Sequence, residues 1–116
     1  MQTAKELVKI AVKALEDKKA EDIQVIDIQE VSVMADYFII VSGNNQNQLQ
    51  AMADAVDEDL NKAGLFKKQV EGNRHSSWIL LDYGDIIIHI FSKEDRLFYD
   101  LEQIWREGKR IGVEEL

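Results

Sequence analysis

Apolar positions recur with two different periods in the first third of the chain, and each period predicts one kind of element. Helical spacing occurs near the start, at Leu7, Ile10, Ala11, Ala14 and Leu15. Thr3 and Glu6 match a capping box, so we expect a first helix over about residues 4–18. β-Branched residues from Ile23 to Ile28 predict a strand. The range from Tyr37 to Val41 is apolar at every position, which predicts a second strand in the interior of a sheet.

The middle of the chain predicts a second helix, with apolar positions at Leu49, Met52, Ala53, Val56, Leu60 and Ala63. The preceding polar stretch, Asn44 to Gln48, supplies Asn side chains suited to N-capping. Gly64 stands where a helix C′ glycine belongs. The range from Phe66 to Val70 then predicts an edge strand, since Lys67 and Lys68 would discourage unwanted pairing.

The last third of the chain predicts a β-hairpin and a third helix. Trp78 to Leu81 and Ile86 to Phe91 form the clearest pair of strands. Ser92 and Asp95 resemble an N-cap start, and an apolar helix face follows at Leu97, Phe98, Leu101, Ile104 and Trp105. We expect a domain over residues 1–107 and a tail without regular structure over residues 108–116, where no period continues. The order α-β-β-α-β-β-β-α predicts a single α/β (α+β) domain, with a mixed sheet of about five strands flanked by helices.

The two sides of the hairpin differ in chemistry. A two-residue turn at Tyr83-Gly84 would pair Leu81 with Ile86 and Trp78 with His89. One side is then uniformly apolar and suited to the core, at Ile79, Leu81, Ile86, Ile88 and Ile90. The other side mixes aromatic, imidazole and carboxylate groups, at Trp78, Leu80, Asp82, Asp85, Ile87, His89 and Phe91. Two interpretations of this second side stay open: a surface for a protein partner, or a packing face covered by the C-terminal helix.

Composition narrows the classes of function. The chain has 116 residues, the size of one ordinary domain. Its 14 basic and 22 acidic residues give a formal charge of −8, which disfavours attraction to nucleic-acid phosphates. Zero cysteines exclude disulfides and thiolate chemistry. We expect a cytoplasmic protein, because the N-terminus has no signal-peptide pattern and no apolar run approaches the ~20 residues of a membrane span.

The common catalytic and cofactor motifs are absent from the sequence, including the P-loop, the dinucleotide-binding glycines and the nucleophile elbow. Asp82, Asp85, His75 and His89 are ligand types that could be assembled into a divalent-metal site. Asp at both shoulders of a turn is explained more simply by hydrogen bonds within the turn. We therefore expect no metal and no cofactor.

A spaced set of residues along nearly the whole chain resembles a known family. The set consists of Ala35 to Ile40, Gly43, Gln48, Glu71-Gly72, Trp78 to Asp85, His89 to Phe91, Arg96, Tyr99, Leu101, Glu102 and Trp105. It resembles the ribosomal silencing factor family, RsfS, which is also called the Iojap-like family. The resemblance implies a protein that is not an enzyme and that binds the large-subunit ribosomal protein numbered fourteen, on the surface that meets the small subunit. It also implies that the bound protein blocks subunit joining and so represses translation under nutrient limitation.

The resemblance further implies a nucleotidyltransferase-like topology. Transferases of that fold use a Gly-Ser turn followed by closely spaced metal-binding carboxylates, whereas here Ser42-Gly43 is followed by Asn44 to Gln48. Many relatives carry a Ser and a basic residue after the glycine, where this chain has Asn45 and Asn47. The loop therefore gives catalysis no support.

We predict a partner-binding site on the hairpin, formed by Trp78, Leu80, Asp82, Tyr83, Asp85, Ile87, His89 and Phe91. Its carboxylates would meet a basic ribosomal protein while its apolar side chains supply the contact area. Two other classes of function stay open. One is a divergent nucleotidyltransferase, and the other is a homodimeric scaffold that uses the same face. The family resemblance also implies homodimers, whereas sequence-specific nucleic-acid binding and membrane binding are not expected.

Overall fold

Two helices and six strands make up the part of the chain that the structure describes. A computed structural model describes residues 4–29, 35–71 and 78–93 and the backbone of 109–111. The elements are α1 (Ala4–Asp17), β1 (Glu21–Asp27), β2 (Tyr37–Gly43), α2 (Gln46–Lys62), β3 (Gln69–Glu71), β4 (Trp78–Asp82), β5 (Ile86–Ser92) and β6 (Lys109–Ile111). The strands form one mixed sheet in the order β3-β4-β5-β2-β1-β6, in which β2 and β5 are parallel and the other neighbours are antiparallel. The predicted fold class, a single α/β domain with a mixed sheet, is confirmed.

Both described helices pack on the same face of the sheet. Val8 and Leu15 of α1 and Leu49, Met52 and Leu60 of α2 are fully buried in one cluster with alternate residues of β2, β4 and β5. β2 is buried at every position, as predicted for an interior strand, and lies between β1 and β5. We call the opposite face of the sheet the outer face. It carries a second apolar cluster, formed by Ile26, Ile28, Ala35, Phe38, Ile40, Ile87 and Phe91.

The predicted caps of α2 are both present. The Asn45 side chain accepts a hydrogen bond from the backbone N–H of Gln48 at 2.8 Å, which satisfies a free N–H of the first turn. At the other end, the Leu65 N–H donates to the Leu60 carbonyl and the Gly64 N–H to the Asn61 carbonyl. This is a Schellman motif, and it places Gly64 at a φ of +90°, a backbone conformation that favours glycine.

The sheet differs from the prediction at its two edges. The edge strand β3 begins at Gln69 rather than at Phe66, and pairs with β4 over Gln69 to Glu71. At the opposite edge, β6 pairs with β1 within the segment predicted to have no regular structure, so that prediction is wrong for residues 109–111. Three residues are too short for a period to be recognised in the sequence. The predicted third helix, from Ser92 onwards, lies beyond the described residues apart from its first two positions.

Gly43 allows the end of β2 to approach α2 closely. A Cβ atom at this position would lie 2.8 Å from Met52 Cε and 2.9 Å from Leu49 Cδ2, and both of these side chains are fully buried. Gln48 secures the same junction, because its Nε2 donates to the carbonyls of Lys18 and Lys19 while its Oε1 accepts from the Asn44 N–H. The Gly43-to-Gln48 loop is therefore explained by packing and hydrogen bonding.

Replacing Gly43 by Ala should destabilise the protein more than replacing Gly64 by Ala. The first change overpacks a buried junction, so the expected loss of unfolding free energy is about 2 kcal/mol. The second meets no atom within 4 Å and costs about 1 kcal/mol through its positive φ alone. Urea unfolding of both variants measures the difference. An equal loss for the two would contradict the importance of the close approach at Gly43.

Candidate interaction surface

The hairpin turn lies one residue later than predicted. Trp78 pairs with Phe91, and Leu80 pairs with His89, so the loop consists of Gly84 and Asp85 rather than Tyr83-Gly84. Gly84 has a φ of +90°, which glycine adopts readily and tyrosine does not. The predicted pairs, Trp78 with His89 and Leu81 with Ile86, are wrong by two residues. Because the side-chain period of a strand is two, the predicted assignment of β4 and β5 residues to the two faces is still correct.

Exposure on the outer face falls from the β3 edge towards the centre of the sheet. Trp78 of β4 is 37% exposed, and Leu80 and Asp82 are half-buried. The register places Glu71 of β3 opposite Leu80, and Gln69 opposite Asp82, and both β3 residues are exposed. We call this set the β3–β4 outer surface: Gln69, Glu71, Trp78, Leu80 and Asp82. Asp85 is also exposed, in the adjacent turn.

The centre of the outer face is buried, as expected if this side of the hairpin is a packing face. Ile87, His89 and Phe91 of β5 are less than a tenth exposed. β5 lies between β4 and β2 in the sheet, and its outer side chains pack beside Phe38 of β2 and Leu80 of β4. These three predicted site residues support the exposed side chains of β4, and they do not offer a surface of their own.

Four rings lie nearly parallel across the outer face. His89 stacks on Phe38 with ring centroids 4.8 Å apart and an interplanar angle of 6°. Trp78 stacks on Phe91 at 5.6 Å and 3°, and lies 6.0 Å from His89 with an angle of 5°. Aromatic pairs of this kind add to the energy of area burial. The half-exposed indole of Trp78 is thus the outermost member of a packed aromatic group.

One hydrogen bond connects the exposed and the buried part of this group. The indole Nε1 of Trp78 donates to His89 Nδ1 at 3.2 Å, which assigns the proton of the neutral imidazole to Nε2. His89 Nε2 is buried and has no hydrogen-bond partner within the described ranges. Burial lowers the pKa of His89 to about 4, so the ring is neutral at pH 7 and can accept the indole proton.

Tyr83 lies on the helix side of the sheet and not on the predicted surface. It is 2% exposed, and its hydroxyl donates to Asp57 Oδ1 of α2 at 2.8 Å. Asp57 Oδ2 also accepts from Lys67 Nζ at 3.3 Å. Burial, followed by the effect of the Asp57 carboxylate, raises the pKa of Tyr83 far above its ordinary value, so the phenol stays protonated. Tyr83 therefore joins the hairpin to α2, and its burial gives no support to the predicted partner contact.

The two Asp residues at the hairpin turn have backbone roles. Asp82 Oδ1 accepts a hydrogen bond from the Gly84 N–H at 2.8 Å, which is a contact typical of Asp at a turn. The Asp85 carbonyl accepts from the N–H groups of Asp36 and Tyr37, and so connects the turn to the start of β2. Within the described residues, no group of three or more potential metal ligands converges. His75, the fourth ligand of the metal hypothesis, lies outside those residues.

Glu71 and Gln69 are members of the surface that the sequence analysis did not assign to it. From the sequence, Glu71 is part of the family pattern alone, and its position beside Leu80 depends on the pairing of β3 with β4. Strand β3 is three residues long and exposed throughout, so it carries no alternation from which that register could be read. Phe38 was predicted to lie in an interior strand, and its strand is confirmed as interior. Its stacking on His89 was not predicted, because that contact depends on the parallel register of β2 and β5.

Comparison with known proteins identifies the family. The family model described as "Ribosomal silencing factor during starvation" matches residues 1–116. The chain belongs to the ribosomal silencing factor family. The protein named ribosomal silencing factor RsfS in Bacillus subtilis is 41% identical over 104 residues, which cover 90% of this chain and 88% of the relative. The protein of the same name from Halalkalibacterium halodurans is 36% identical and covers 94% of this chain and 93% of its own length.

The family assignment agrees with the structure. A crystal structure of a protein from Chromobacterium violaceum matches the fold with a TM-score of 0.86 and 32% identity, covering 90% of this chain and 87% of that one. The ribosomal silencing factors named here are translation regulators by name rather than enzymes. In the described part of the chain, no helix is long and apolar enough to cross a membrane.

Acidification should destabilise the protein through His89. The folded pKa of about 4 lies below the ordinary value of 6.5, so between these values the unfolded chain binds more protons and stability falls as the pH is lowered. Between pH 7 and pH 5 this contribution is about 2 kcal/mol, at 1.36 kcal/mol per pKa unit. The measurement is urea unfolding at both pH values for the wild type and His89→Phe. The variant should lose less stability on acidification, and equal losses would show that His89 is not buried as a neutral ring.

Proposed function

We propose that this member of the ribosomal silencing factor family binds the large-subunit ribosomal protein numbered fourteen, on the surface that meets the small subunit. The bound domain occupies space that the small subunit needs, and so blocks subunit joining and represses translation. The β3–β4 outer surface makes the contact. The observation that carries the proposal is the position of Trp78, a half-exposed aromatic residue on the same outer surface as Glu71 and Asp82.

The apolar part of the contact comes from Trp78 and Leu80. Exposed aromatic residues with rigid support are typical anchors of protein interfaces, because little conformational entropy is lost when they are buried. Trp78 has that support from the rings of Phe91 and His89. Leu80 stands between Glu71 and His89 in the sheet, and it is half-buried against the outer apolar cluster.

The acidic part of the contact comes from Glu71, Asp82 and Asp85. Glu71 lies opposite Leu80, Asp82 lies two residues further along β4, and Asp85 lies in the adjacent turn. Charged and polar residues are typical of the rim of an interface. These carboxylates complement a basic protein surface, whereas the net charge of −8 repels the phosphates of ribosomal RNA. The charge therefore favours docking on a ribosomal protein over docking on the RNA around it.

Trp78→Ala should weaken binding to the large subunit. The loss expected for an interface anchor is about 2 kcal/mol, or roughly thirtyfold in affinity. Large ribosomal subunits from Bacillus subtilis, the source of the 41% identical relative, are the binding partner in a sedimentation assay. Phe66→Ala is the control, because Phe66 is an exposed aromatic residue, at 64%, outside the proposed contact. Wild-type affinity of a folded Trp78→Ala variant would refute the proposed surface.

Removing acidic charge from the surface should weaken binding and reduce its dependence on salt. The double variant Glu71→Gln, Asp85→Asn loses two rim carboxylates, for which we expect about a fivefold loss of affinity. The matched control is Asp54→Asn, Glu58→Gln, which removes the same charge from exposed positions of α2. Binding is measured at two ionic strengths. Equal effects of the two double variants would indicate that net charge matters and that this surface does not.

Self-association is the alternative use of the same surface, because an exposed Trp78 can also be buried by a second copy of the chain. Sedimentation of the protein at several concentrations, with and without large subunits, separates the two uses. Competition between dimer and ribosome complex would indicate a shared surface. A dimer that forms equally well in Trp78→Ala would place self-association elsewhere.

A further inference from the structure

The Trp78 indole has one hydrogen-bond donor, and the protein uses it internally. Nε1–H is directed to His89 Nδ1 on the neighbouring strand, 3.2 Å away. The indole nitrogen has no second proton and does not accept. The N–H is therefore committed before any partner arrives, and the part of Trp78 left for a partner is the carbon surface of the ring.

His89 is well suited to hold that ring in place. It is 7% exposed and stacks on Phe38, so its own position is set by the interior of the sheet. Phe91 lies parallel to the indole at 5.6 Å and restricts its tilt. The hydrogen bond adds the constraint that stacking lacks, because it fixes the direction in which the Nε1 edge points.

We propose that His89 is a positioning residue, which through its hydrogen bond to Trp78 turns the indole so that the ring carbons meet the partner. This inference rests on the proposed function and specifies the chemistry of its contact. The complementary group on the partner is an aliphatic side chain, or the stem and cation of a Lys or Arg, and not a carbonyl acceptor for the indole. A cation over the ring also agrees with the carboxylates of Glu71 and Asp82 on the same surface.

Two substitutions of His89 separate the hydrogen bond from the packing. His89→Asn places a carbonyl oxygen near the position of Nδ1 and keeps an acceptor, whereas His89→Phe keeps a stacking ring and removes the acceptor. We expect binding to large subunits from Bacillus subtilis to weaken about three- to tenfold in His89→Phe, the range for loss of one hydrogen bond. His89→Asn should retain more of the affinity than His89→Phe.

A double-mutant cycle distinguishes positioning from a general structural role. In the Trp78→Ala background, His89→Phe should cause no further loss of affinity, because there is no indole to position. A comparable loss in both backgrounds would overturn the proposal. So would unchanged binding of the folded His89→Phe variant, since the contact would then not depend on the hydrogen bond. Tighter binding would also overturn it, since the freed N–H would then be donated to the partner.

A measurement on the free protein tests the geometry without the ribosome. The indole N–H proton of Trp78, identified by its absence in Trp78→Phe, should exchange slowly with solvent in the wild type and in His89→Asn and faster in His89→Phe. Fast exchange in the wild type would overturn the inference even if a His89 variant failed to fold. If Trp78→Ala binds as well as the wild type, the proposed function fails. If Trp78→Ala loses binding and His89→Phe does not, only the role of His89 fails.

Discussion

The parallel pairing of β2 with β5 is the constraint on which the rest of the structure depends. The two strands pair over seven residues, from Tyr37 with Ile86 to Gly43 with Ser92. Almost all of their side chains are buried, on both faces of the sheet. One face receives α1 and α2, and the other carries the aromatic group. Beside these buried central strands, β4 and β3 carry outer-face side chains that are exposed or half-buried, and the proposed partner contact is placed there.

The hairpin turn determines where β4 lies relative to this central pair. The Asp85 carbonyl binds the start of β2, while the Tyr83 hydroxyl binds Asp57 on α2. The turn is thus attached to both layers of the domain. With the loop at Gly84-Asp85, the register brings Trp78 opposite Phe91 and within reach of His89. A shift of two residues would keep Trp78 on the outer face but change its partner, since the register predicted from the sequence would place it opposite His89 instead of Phe91.

The sequence predicts the parts of this arrangement that depend on periodicity or on a special backbone conformation. The two helices, the buried β2, the Asn45 and Gly64 caps and the face of each hairpin residue follow from such local rules. The register between two strands does not follow from local rules, because a side-chain pattern with a period of two is unchanged when one strand slips by two residues. The turn prediction failed for that reason, although the positive φ needed in a two-residue turn favours Gly84 over Tyr83.

The sequence left burial of the candidate site open for a different reason. Whether Ile87, His89 and Phe91 are exposed depends on where β5 lies in the sheet, and strand order is a long-range property of the chain. The two edge strands of the sheet, β3 and β6, are hard to predict for the same reason. Both are short, and each is defined by the strand with which it pairs. The sequence supplied the candidate residues on the hairpin, and the structure divides them into exposed and buried members.

Burial of His89 and exposure of Trp78 are two aspects of one arrangement. A solvated imidazole with an ordinary pKa near 6.5 is partly protonated just below neutral pH, and an imidazolium nitrogen cannot accept a hydrogen bond. Burial lowers the pKa of His89 to about 4, and this keeps Nδ1 available as an acceptor. The acceptor then holds the Trp78 N–H, and the exposed surface of the indole becomes apolar on a protein whose charge is otherwise strongly negative. The buried centre of the outer face thus determines the chemistry of its exposed edge.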